Sequence, residues 1–185
     1  MEQNFRQSIK QGVKTLVSND DIFTNEVQMV IDLVKEWQEP YADIYHNNDL
    51  RKRMTILAKE CVKQGISLHH DKLYRGMTIY HKSNLNNEYK LKDLDICSWT
   101  YRLTVAQSFA KGNMNEGSGA YVFCKTLKEN EKVFSLDELI DVIETKYSYS
   151  PYYQKIQNEN LNSEAEIIMP FVISECEYDC IDYWD

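Results

Sequence analysis

Up to Gly65 the chain repeats apolar residues every three or four positions, and beyond it the repeat shortens. That change of period, from a helical 3.6 toward the 2 of a strand, constrains the fold more than any other feature. Residues 3–17 place Phe5, Ile9, Val13 and Leu16 on one helical face. Ser18-Asn-Asp-Asp21 breaks the pattern. Thr24 or Asn25 can cap a second helix in which Val27, Val30, Ile31, Val34 and Trp37 align, and Pro40 closes it. Residues 49–63 predict a third helix with Leu50, Met54, Leu57 and Cys61 inward, joined by Ile56 or Val62, and Gly65 is its stop. The Arg51-Lys-Arg53 run on that helix reads as a solvated face, with phosphate binding the rarer alternative.

After Gly65 come short runs rich in Tyr, Val, Ile and Phe, bounded by polar turns: 72–78, 88–91, 95–100, 120–126, 165–173 and 176–183. Helices interrupt them around 104–111 and 136–145. Residues 146–163 are polar, with Tyr147, Tyr149, Tyr152 and Tyr153 and no clear period, and a loop of that length inside a compact domain is usually functional or disordered. Gly112–Gly119 is flexible enough to close over a ligand or to form a plain hairpin turn. The expected class is α+β, with a helical segment at 1–68 and a β-rich core at 69–185 forming one compact domain.

Charge and cysteine usage narrow the function. The 185 residues carry 21 Lys+Arg against 29 Asp+Glu, a net charge of −8. Residues 71–185 hold 12 basic and 19 acidic side chains, so −7 of the deficit lies there. A nucleic-acid binder needs a basic face, so a cationic partner fits better. The five cysteines (Cys61, Cys97, Cys124, Cys176, Cys180) are odd in number and unclustered, which reads as reduced thiols of a cytoplasmic protein and predicts no metal site. No apolar run approaches the ~20 residues of a membrane span, and residues 1–12 contain no apolar signal core. The common phosphate-loop, dinucleotide, zinc-protease and serine-hydrolase motifs are missing from the sequence.

Three pieces of the β body carry chemistry. Arg75, between Tyr74 and Gly76 in an apolar strand, is costly to bury unless an anion meets its guanidinium or an internal carboxylate pairs with it. Ser98 and Thr100, two apart, put hydroxyls on one strand face, where they can brace a carboxylate or simply be strand residues. Glu164 and Glu166, also two apart, enter an apolar strand on one face. Like charges so placed repel, which suits either the handling of a cation or a solvent-facing edge.

In this order and spacing the three resemble the R-S-E class of ADP-ribosyltransferases, over about residues 70–185. Arg75 stands for the arginine of the first core strand, Ser98-Trp99-Thr100 for the Ser-x-Ser/Thr motif, and Glu164-Ala165-Glu166 for the Glu-x-Glu pair. Trp99 departs from the small or hydroxyl residue usual in the family. The size, helical preface and acidic tail are similar to those of the small enzymes carried by T4-like phages. The resemblance implies an ADP-ribosyltransferase-like fold, with the helical segment packed on two small, mainly antiparallel β-sheets. It implies NAD as co-substrate, no metal, and transfer of ADP-ribose to arginines of target proteins, host transcription or translation proteins among them, in a host cytoplasm. The same site used on water or on nucleic acid, and a catalytically silent binding module, are the alternatives. By resemblance Glu166 holds the ribose, Ser98 orients Glu166, Arg75 grips the pyrophosphate, and Glu164 receives the acceptor. Tyr74, Gly76, Thr100 and Phe109 complete the expected NAD-binding set. Tyr152 and Tyr153 fall in the counterpart of the substrate-recognition loop, where an aromatic can stack on a guanidinium.

Overall fold

The structure is a computed structural model that describes residues 2–39, 46–80, 93–112, 114–152, 161 and 165–183. In chain order its first elements are α1 (Glu2–Val17), α2 (Asn25–Gln38), α3 (Asn48–Lys63), β1 (Lys72–Tyr80) and β2 (Leu94–Thr100). There follow α4 (Leu103–Lys111), β3 (Ser118–Thr126), β4 (Phe134–Ser135), α5 (Leu136–Tyr147), β5 (Glu166–Phe171) and β6 (Glu177–Tyr183), with a 3-10 turn at Ile173–Glu175. Two compact units result: Met1–Leu68 with Lys132–Ser163, and His69–Glu131 with Glu164–Asp185. Residues 132–163 therefore group with the N-terminal helices, whereas the sequence reading placed all of 69–185 in one core. The expected helix stop at Pro40 and the expected strand at 88–91 lie outside the described residues.

In the first unit the helices begin and end where their caps dictate. Thr24 Oγ1 accepts from the Val27 N–H at 3.2 Å, Asn47 Oδ1 from Leu50 at 3.0 Å, and Ser135 Oγ from Glu138 at 3.2 Å. Gly65, at φ +88°, stops α3 with a paired set of bonds: its own N–H to the Val62 carbonyl and that of Ile66 to Cys61. Ile9, Val13, Val27, Val30, Ile31, Val34, Leu50, Met54, Leu57 and Cys61 are all fully buried, as the helical period predicts. Of the Arg51-Lys-Arg53 run only Lys52 is exposed, so the expected solvated face is not formed as a whole. Arg51 is only 8% exposed, and Arg53 bonds both oxygens of Glu36 at 2.6 Å and Asp49 at 2.7 Å. The bonds to Glu36 tie α3 to α2, while that to Asp49 stays within α3, so Arg51 and Arg53 serve packing.

The second unit is an antiparallel sheet whose strands run in the order β5-β2-β1-β3-β6. Two small sheets were expected; among the described residues these strands form one. The reason lies at a single ladder position. β1 meets β3 over nine registered pairs, from Lys72↔Thr126 to Tyr80↔Ser118, but meets β2 only at Tyr74↔Thr100. That one pair keeps β5-β2 and β1-β3-β6 a single sheet. Helix α4 lies on one face, packing Ala106 and Ala110 against Ala120 and Val122, with Tyr74, Met114 and Ile181 at the margin. On the other face Trp99, Phe123 and Phe171 form a buried aromatic group, with ring centroids 5.3 Å apart for Phe123–Phe171 and 5.9 Å for Trp99–Phe171.

Candidate active site

Strand register brings the three chemical pieces together. Ser98 pairs with Ile168 and Thr100 with Glu166, so Ser98 and Glu166 are diagonal neighbours on one face of the sheet. Side chains at such positions reach one another, and the Ser98 hydroxyl donates to Glu166 Oε1. That bond holds a half-buried carboxylate at the first residue of β5, opposite the last residue of β2. Arg75 enters from β1 and donates from Nη1 to the Ser98 carbonyl. Ser98 lies two residues from Thr100, which forms the registered β1–β2 pair with Tyr74, next to Arg75.

Alternation decides the role of Arg75. Its neighbours Gly76 and Thr78 face α4: Thr78 Oγ1 donates to the Ala110 carbonyl at 2.7 Å. Arg75 itself lies opposite Phe123 in the β1–β3 ladder, and its guanidinium carbon sits 5.9 Å from the Phe171 ring centroid. At 8% exposure it is built into the aromatic face and braces the Ser98 main chain. Its charge also draws the buried Cys97 thiol downward, but burial dominates and keeps Cys97 protonated well above the usual thiol range. A thiol so held is no nucleophile.

Of the other residues expected to bind NAD, Gly76, Tyr74 and Thr100 have structural contacts. A Cβ on Gly76 would stand 1.8 Å from the Ala106 carbonyl oxygen and 2.7 Å from the Ala110 nitrogen, so glycine there lets helix and strand backbones touch. Tyr74 packs at the edge of the same small-residue cluster. Thr100 Oγ1 accepts from the Arg102 N–H at 3.1 Å, shaping the turn from β2 into α4. Phe109 is 57% exposed on α4 and open to a ligand. In the 112–119 stretch Ser118 Oγ both donates to the Asn115 carbonyl at 2.6 Å and accepts from its N–H at 2.9 Å, a turn closed on itself ahead of β3.

Glu164 and Tyr153 lie outside the described residues. The other tyrosines of 146–163 divide. Tyr147 is fully buried, donates to the Ile22 carbonyl at 3.0 Å, and has its phenol pushed up to about 12, chiefly by burial. Tyr152 stacks on Phe23 at 5.0 Å, so one face of its ring is taken. Tyr149 is fully exposed.

Sequence periodicity missed one feature. Ala165 has φ +57°, a left-handed backbone that costs an L residue about 1–2 kcal/mol, and β5 starts only after it. The strand alternation of β5 thus begins at Glu166, and the expected placing of Glu164 on the same face falls outside the described residues. Nothing in the residue type announces the turn at Ala165, because alanine is not a usual left-handed residue. Among the described residues no group of three or more His, Cys, Asp or Glu could hold a metal ion, and no helix is long and apolar enough to cross a membrane.

No family model matches this sequence, and no curated protein matches it. Among solved structures the chain is similar to the crystal structure of ADP-ribosyltransferase Vis in complex with M6 inhibitor, at 14% identity over 91% of this chain and 74% of that one, with a TM-score of 0.34. At that score the likeness carries no argument. The reading of the site rests on its own residues.

Proposed function

We propose that this protein is a mono-ADP-ribosyltransferase that cleaves NAD at the nicotinamide–ribose bond and transfers ADP-ribose to arginine side chains of target proteins. The observation that carries the reading is the hydrogen bond from Ser98 to Glu166, with Arg75 clamped on the Ser98 carbonyl. Arginine, serine and glutamate thus come from β1, β2 and β5 in the order that the resemblance requires.

In this reading nicotinamide leaves with the electrons of the C–N bond, and positive charge develops on the ribose as in glycoside hydrolysis. A carboxylate beside the sugar stabilises that charge and can accept a bond from a ribose hydroxyl. Glu166 fills this role, held in one orientation by Ser98 so that no reorganisation is needed as charge appears. Arg75 also acts through Ser98, whose carbonyl it braces while its guanidinium lies 5.9 Å from the Phe171 ring centroid. A guanidinium nitrogen of the acceptor then attacks the ribose carbon and loses its proton, a step assigned to Glu164 by resemblance. The acidic β6 segment, with Glu177, Asp179 and Asp182, favours the approach of basic targets.

The test is incubation with labelled NAD and a basic acceptor protein, following both nicotinamide release and label on the acceptor. Glu166→Gln should lower both by about a hundredfold or more with the fold intact. Near-wild-type transfer by Glu166→Gln would overturn the site. Release of free ADP-ribose without label on any protein would overturn the acceptor class.

A further inference from the structure

We propose that Ala165 is a positioning residue whose left-handed backbone sets the direction in which Glu166 leaves the start of β5. The inference rests on the role given to Glu166 above and deepens it. Glu166 is the first residue of its strand, so the ladder with β2 constrains its main chain from one side only. On the other side its orientation depends on the peptide that joins it to Ala165. With φ at +57° that peptide is turned out of the strand path, and the chain reaches β5 at the position opposite Thr100. Were Ala165 to relax into the extended region, strand alternation would run on through it and the Ala165–Glu166 peptide would rotate. A rotation there carries the carboxylate away from Ser98, since a strand's side-chain direction follows its backbone with a period of two.

The residue chosen fits this duty. Ala165 is 2% exposed, so its methyl sits in a closed surround. Glycine would accept the same φ without strain, and its added freedom is felt chiefly in the unfolded chain. Alanine bears the strain and keeps fewer alternatives. Strain held at a residue adjoining a chemical group is the pattern expected where geometry is over-determined for function.

The test uses the full chain with Ala165→Gly, Ala165→Asn and Ala165→Val. Glycine and asparagine accept a left-handed backbone, whereas β-branched valine rejects it. Three quantities are read: NAD affinity by calorimetry, single-turnover nicotinamide release, and the titration of the Glu166 carboxyl by carbon NMR. The Gly and Asn variants should keep turnover within about threefold, while Val should lose about tenfold or more with NAD affinity changed less than about threefold, as a displaced catalytic group does. The Glu166 titration should move in the Val variant alone. Val turnover within about threefold of wild type would overturn the proposal, as would Gly and Asn losing as much as Val. If Val does not fold, the Asn variant decides, since it is larger than alanine yet backbone-compatible: retained turnover supports the proposal, and loss with an intact fold sinks it. A wild-type protein that releases no nicotinamide would defeat the proposed function, yet the Glu166 titration across the variants would still decide the role of Ala165.

Discussion

The two flanks of β1 differ more than any other pair of regions in this molecule. Toward β3 the strand is registered over nine pairs and covered by α4, whose backbone touches it at Gly76. Toward β2 it is joined at one pair, and Arg75 reaches across to a main-chain carbonyl. The first flank is a platform held by repeated contacts, so any single contact matters little unless it involves backbone. The second depends on one side chain, and it is there that the chemical groups meet. Stability and chemistry are thus separated across the width of a single strand.

Substitutions can break that comparison. Gly76→Ala forces a Cβ into the Ala106 carbonyl, so α4 must lift; chemical denaturation should show a loss of about 3 kcal/mol, the severe end of overpacking, with every spectroscopic probe shifting together. Arg75→Met, on the thin flank, should cost about 2 kcal/mol, the contribution of a bond from a charged donor, and should lower NAD turnover more than its stability loss explains. Ser98→Ala should leave the denaturation midpoint nearly unchanged while turnover falls about tenfold, the equivalent of one hydrogen bond. Were Ser98→Ala to unfold the protein as readily as Gly76→Ala, the proposed separation of platform from chemistry would be wrong.

Much of the helical unit was legible because its signals are local. Thr24 and Gly65 act on residues two to four positions away, and the apolar stripes of α1, α2 and α3 face inward as their spacing predicts. The sheet was legible as separate strands but not as a whole, since pairing joins residues such as Tyr74 and Thr100 that no local rule connects. Arg51 was misread for the same reason, because exposure is decided by what packs across from a residue. Gly76 looked like part of a binding motif because its neighbour Arg75 did; only the distance to α4 reveals its use. The Ser98–Glu166 pairing lay in reach of the sequence through resemblance alone, and the left-handed turn at Ala165 did not.

The contact at Gly76 has a further implication for how such a protein can change over time. Helix α4 is seated by main-chain atoms of Ala106 and Ala110 and by the Thr78 hydroxyl on the Ala110 carbonyl. Atoms that every residue type possesses set its position, and the inward side chains are small. The outward residues Thr104, Gln107, Ser108 and Phe109 can therefore be exchanged without shifting the helix. Natural drift or deliberate redesign can rewrite that surface for new ligands while the carboxylate and its serine stay where they are.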